Sequence, residues 1–229
     1  MPNDDGSLFA TGSTLVSSKV RGVVVSNFAW QHLKSATSFR DRVKDLESIH
    51  QGRAFGAFFE EIRTYASATI MMCVAAADAL INELFLMPGI LRSATSDIEL
   101  FGQSGKGGIL RKPLFERYDR ALEKLSCPSI TGCTAAKDMQ LLVELRNALT
   151  HFEPKWDDSQ QKSTSLENGL SGKFALSPFT AGADFVGSQC MSWACAEWSV
   201  ATPRSYIGAF NVASGALESG KIEHILALE

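Results

Sequence analysis

Ala68-Thr-Ile-Met-Met-Cys-Val-Ala-Ala-Ala-Asp-Ala-Leu-Ile-Asn-Glu-Leu-Phe-Leu86 is the most apolar run of the chain, and its reading decides the fold. Asp78, Asn82 and Glu83 interrupt it, so it predicts a helix buried inside a bundle rather than a membrane span. A helix apolar on most sides belongs at the centre, where neighbours surround it. Upstream, Phe58, Ile62, Tyr65 and Ala66 keep helical spacing, which extends the element to 53–86. Pro88-Gly89 stops it.

Outward from this element, a first helix is predicted over 27–50, with Gly52 as its stop. Residues 88–108 read as a Gly- and Ser-rich loop, followed by helices over 109–125 and 134–152. The segment 153–183 is polar, with a short strand pair expected around 173–176. A last helix is expected over 184–217, capped by Asp184 and kinked at Pro203. Residues 1–18 and 218–229 read as tails, and no internal repeat is visible. The prediction is an all-α protein, a four- to five-helix up-and-down bundle in a single domain over 19–217.

Composition narrows the functions. A chain of 229 residues, 45% of them hydrophobic, can bury one real core. Its net charge of −3 excludes a protein that coats itself in nucleic acid, so any RNA contact must be local. Five cysteines, an odd number without a CxxC pair, argue against a disulfide framework and for a reducing compartment. Met-Pro-Asn-Asp-Asp-Gly-Ser carries no secretion signal, so a cytoplasmic protein without membrane contact is expected.

The chemistry concentrates in Leu145-Arg-Asn-Ala-Leu-Thr-His-Phe152. Arg146 offers a fixed cationic fork for a phosphate, His151 can carry protons near neutral pH, and Asn147 can orient either. At about 100° per residue, Asn147 and His151 lie within about 40° of each other, whereas Arg146 and His151 diverge by about 140°. Leu142, Leu145, Leu149 and Phe152 form the expected buried stripe, with Glu144, Asn147 and His151 nearly opposite. Glu144 and Thr150 are candidate supporting residues. A site needing Arg and His from opposite flanks of one helix is most easily completed by a second copy, which predicts a homodimer. The plainer alternative is a surface arginine and a histidine decorating a helix end before Pro154, where a cation suits the helix dipole.

Other constellations are weaker. Arg117, Arg120 and Lys124 form the most coherent basic stripe, a candidate RNA contact or a solvated face. Gly102-Gln-Ser-Gly-Lys-Gly-Gly fails as a phosphate loop, because Leu100 replaces the first glycine and Gly107 follows the lysine. The four histidines (32, 50, 151, 224) are scattered, so no metal site and no cofactor are expected. Nothing marks one cysteine as a nucleophile, and Asp157-Asp158 reads as a turn.

Arg146-Asn147-x-x-x-His151 resembles the Arg-x4-6-His motif of the HEPN superfamily of helical RNases, which often place a polar residue after the arginine. Ala75-Ala-Ala-Asp-Ala-Leu-Ile-Asn-Glu-Leu84 and Cys195-Ala-Glu-Trp198 resemble its preceding and closing helices. The likeness spans about 55–215, and its specific part is the six-residue motif. The resemblance implies a HEPN-like bundle whose dimer joins two motifs in one cleft and cleaves RNA through the ribose 2′-OH without metal. Arg146 would stabilise the phosphorane, Asn147 would orient His151, and His151 would act as base or acid. The expected function is an endoribonuclease of toxin, stress or phage-defence type, with an antitoxin or other inhibitory partner. Nucleotidyl-silenced toxins of the family carry a tyrosine two residues after the histidine, where this chain has Glu153, which argues against that control. Many members are instead non-catalytic scaffolds for dimerisation or RNA binding, and this is the second expectation.

Overall fold

The helix expected at the centre is there. In the computed structural model, which describes residues 27–103, 106–152, 161–180, 184–215, 217 and 219–227, α2 runs Phe58–Leu86. Its Phe59, Ile62, Ile70, Leu80, Ile81, Leu84 and Phe85 are buried. Each such side chain contributes about 1.5–3 kcal/mol of hydrophobic stabilisation. Among the described residues α2 alone is long and apolar enough to cross a membrane, yet 56% of its most apolar window is buried inside the fold. Its polar residues account for themselves. Glu83 accepts a hydrogen bond from the Ala29 backbone N–H, 3.1 Å away, at the start of α1 (Phe28–Ile49). Asp78 and Asn82 receive Arg117.

α1 folds back along α2, its first turn capped by the Asn27 side chain, which accepts from Trp30 N at 2.9 Å. α6 (Thr134–Thr150) and α8 (Trp193–Ala213) pack on α2 and on each other, and α1 also meets α8. These four helices enclose the core. The architecture is all-α, and a two-residue antiparallel ladder, β1 (Gly102–Gln103) with β2 (Lys106–Gly107), is the one sheet among the described residues.

Several expectations need correction. The loop at 88–108 holds two short helices, α3 (Ile90–Ser93) and α4 (Asp97–Phe101), the latter started by a Ser96–Glu99 capping box. Its glycines serve the backbone: a Cβ on Gly108 would lie 2.2 Å from the Leu100 carbonyl oxygen. The helix expected from 109 begins as a single 3-10 turn, Ile109–Arg111, and α5 (Leu114–Lys124) starts only after Pro113.

No strand pair forms around 173–176. Gly172, at φ +74, turns the chain instead. Lys173 pairs with Asp138 at 2.7 Å, and Phe174 packs on Trp198. The preceding polar stretch contains α7 (Gln161–Leu170), which buries Leu166 and Leu170. Gly169 lets it approach α6 so closely that a Cβ would stand 2.6 Å from Leu141 Cδ2.

The last long helix does not begin at Asp184. Residues Phe185–Gln189 form a π-helical turn, and the Ser192 hydroxyl accepts from Cys195 N at 3.1 Å to start α8 afresh. α8 then continues through Pro203. The expected C-terminal tail contains α9 (Ser219–Leu226), whose Ile222 and Ile225 are buried and which packs on α8 and α1. Residues 1–18, Glu153, Pro154 and Asp157-Asp158 lie outside the described residues.

Candidate functional site

α6 is held by Ala136, Met139, Leu142 and Leu145, all buried, while Leu149 is half-buried. Phe152, expected in the same stripe, is 50% exposed because the helix ends at Thr150 and the chain turns there. His151 is the cap residue. Its N–H still donates to the Asn147 carbonyl at 2.9 Å, although φ −111 and ψ 42 already leave the helix. That bond keeps His151 on the row of Asn147. Both side chains are exposed, and among the described residues neither has a hydrogen-bond partner.

Arg146 lies on the other flank, in one row with Thr150. The Thr150 hydroxyl donates to the Arg146 carbonyl at 2.8 Å and stands 3.6 Å from Met71 Sδ, which places this flank against α2. Arg146 is half-buried, and its Nε is buried without a hydrogen-bond partner. Among the described residues its guanidinium has no carboxylate partner, so its charge is left for an anion. Glu144 is exposed and accepts from Gln140 Nε2 at 3.2 Å, so it turns toward the helix start, away from His151. No hydrogen bond joins Arg146 to His151 among the described residues.

Other residues approach this end of α6 without any local signal. Phe152 packs at Gly187, where its Cε2 would be 3.3 Å from an added Cβ. The Gly187 carbonyl accepts from Arg63 Nε at 3.1 Å, which brings a second arginine, this one from α2, near the end of α6. Arg63 also pairs with Glu60 at 3.1 Å. These contacts join positions far apart in sequence, and no periodicity could have announced them.

The basic stripe of α5 does not form. Arg117 is turned inward, 5% exposed, with Nη1 on Asn82 Oδ1 and Nη2 on Asp78 Oδ1. Arg120 pairs with Glu123 at 2.7 Å, and Lys124 pairs with Glu99. Arg117 is therefore a link between α2 and α5 rather than an RNA contact, and the other two cations already face carboxylates.

Burial pushes the Cys73 and Cys190 thiols well up, and that of Cys195 up to about 12. None of the three is a thiolate nucleophile near neutral pH. Among the described residues no group of three or more His, Cys, Asp or Glu side chains gathers as a metal cluster would. A scan against family models, a search of curated proteins and a search of solved structures each returned no match to this chain.

Proposed function

We propose that this protein is a metal-independent endoribonuclease that cleaves single-stranded RNA at a composite site built from two copies of α6. The observation that carries the reading is the state of its polar residues. Among the described residues, Asn147 and His151 are exposed without a hydrogen-bond partner, beside a half-buried Arg146 that forms no ion pair. The resemblance to the HEPN-like bundle, through Arg146-Asn147-x-x-x-His151, supplies the reaction type and the dimer.

In this reading His151 of one protomer takes the proton of a ribose 2′-OH. The 2′-oxygen attacks phosphorus, Arg146 of the second protomer steadies the phosphorane charge, and the protonated His151 gives its proton to the departing 5′-oxygen. The products are a 2′,3′-cyclic phosphate and a 5′-hydroxyl. Positioned proton transfer supplies about 10²–10⁴ in rate, and charge stabilisation by Arg146 a similar factor. A cytoplasmic toxin, stress or phage-defence role with an inhibitory partner fits such chemistry, and no cofactor enters it.

The test is cleavage of single-stranded RNA by the purified chain in EDTA. Cyclic- or 3′-phosphate ends and untouched DNA are expected, whereas loss of cleavage on chelation or 5′-phosphate products overturn the reading. Mixing the inactive Arg146→Ala and His151→Ala proteins should restore partial activity, since a mixed dimer retains one of each group. The divergence of Arg146 and His151 within one chain favours a second reading, a non-catalytic helical scaffold for dimerisation or RNA binding. It prevails if the protein dimerises and cleaves nothing.

A further inference from the structure

A second concave surface lies where the end of α1 meets the start of α8. It is a groove of about 620 Å³, lined in part by Lys44, Glu47, Arg53, Phe179 and Trp193. The size falls within the range of small-ligand sites. Lys44 and Arg53 are exposed, and among the described residues neither forms an ion pair. That sets them apart from the cations of α5, each of which has a carboxylate.

The groove has one carboxylate among its lining residues, that of Glu47, and it is already engaged. Glu47 Oε1 accepts from the Trp193 backbone N–H at 2.7 Å, at the first turn of α8. The local balance is therefore positive on a chain whose net charge is −3. The wall is aromatic. Lys44 Nζ lies 5.2 Å from the centre of the Trp193 ring. Phe179 packs edge-on against Phe58 at 5.1 Å, and Phe58 stacks on His50 at 3.9 Å. Arg53 Nη1 stands 3.4 Å from His50 Nδ1, so the second cation borders the same aromatic cluster.

We infer that this groove binds a nucleoside phosphate, with the phosphate between Lys44 and Arg53 and the base against the half-buried Trp193, at whose side the buried Phe179 forms the floor. Two cations that face no carboxylate among the described residues call for an anion. An aromatic wall beside them favours a ligand that carries a planar ring, because bases stack on such faces with little regard to sequence. Neither simple anions nor acidic peptides use that wall. The nucleotide can be free or one unit of a single strand. The inference goes beyond the nuclease reading and does not depend on it, since none of Arg146, Asn147 and His151 lines the groove.

Calorimetry on the full chain tests it with four probes: adenosine 5′-monophosphate, single-stranded oligo(A), inorganic phosphate and hexaglutamate. The mononucleotide or the oligonucleotide should bind, and more tightly than phosphate or the peptide. Binding of the oligonucleotide alone identifies the strand as the source. The Lys44→Glu/Arg53→Glu double variant should lose about tenfold or more in affinity. Both side chains are exposed, so circular dichroism should show the fold unchanged. His151→Ala should leave this affinity as it was, even where it abolishes cleavage. The inference is overturned if neither nucleotide probe binds at millimolar concentration, or if phosphate or hexaglutamate binds as tightly. It is equally overturned if the double variant binds like wild type, or if His151→Ala removes the binding.

Discussion

α5 and α6 each carry three polar residues that their spacing made functional candidates, and the fold treats them in opposite ways. Arg117, Arg120 and Lys124 on α5 are all paired with acids, and Arg117 is buried. Among the described residues, Asn147 and His151 on α6 are exposed without hydrogen-bond partners, and Arg146 forms no ion pair. A cation paired with a carboxylate holds structure together, whereas one without has capacity left for a ligand; a buried Nε without a partner is common to Arg117 and Arg146 and separates nothing. The useful difference is therefore the presence or absence of a partner, since charge density alone would have favoured α5.

The sharpest way to break this contrast is in activity. His151→Ala should lower RNA cleavage by about 10²–10⁴, and Arg146→Ala by a similar factor. Both should melt close to wild type, because neither side chain belongs to the apolar stripe of Leu142 and Leu145. Arg120→Ala should leave cleavage unchanged. Single-turnover assays on one RNA compare all three. Wild-type cleavage by His151→Ala, or loss of cleavage by Arg120→Ala, would reverse the assignment of the two helices.

Stability should show the opposite ranking. Arg117→Ala removes the buried partner of a pair whose acid is half-exposed, and it leaves the Asn82 amide oxygen without its donor. Asp78 is 47% exposed at its side chain and can rehydrate, so a loss of about 1–3 kcal/mol is expected. Leu145→Ala, a core truncation, should cost about 2–5 kcal/mol. Urea midpoints at constant slope measure both. An Arg117→Ala protein as stable as wild type would mean that the link between α2 and α5 is ornamental.

What was legible in the sequence follows the same division between local and distant. α1 could be placed nearly to the residue, because Asn27 and Gly52 punctuate it locally, and Pro88 ends α2 for the same reason. On α6 the angular divergence of Arg146 from His151 needed only helix geometry. α7 and α9 were hidden because each buries just two apolar residues, Leu166 with Leu170 and Ile222 with Ile225, in polar surroundings. The inward turn of Arg117 was illegible because its partners lie 39 and 35 residues earlier. The groove between α1 and α8 escaped for that reason too, since Lys44 and Trp193 meet only in the folded chain.

The smallest expected effect concerns the other end of α5. The Lys124 ammonium, with help from the N–H and hydroxyl of Ser96, holds the Glu99 carboxyl down at about 2. A carboxylate whose pKa is lower in the folded state stabilises the fold at pH values above its ordinary pKa, 4.5 here. That contribution shrinks as the pH falls below this value and is gone once the folded carboxyl itself takes up a proton near 2. Glu99→Gln should therefore melt slightly below wild type at pH 7, and the gap should narrow steadily from pH 4.5 downward. The pair is solvent-exposed, so added salt should narrow the gap as well. Thermal melts of both proteins across this pH range decide the matter. A gap that widens in acid would show that Glu99 is not held ionised by Lys124, and that this end of α5 has a cation to spare after all.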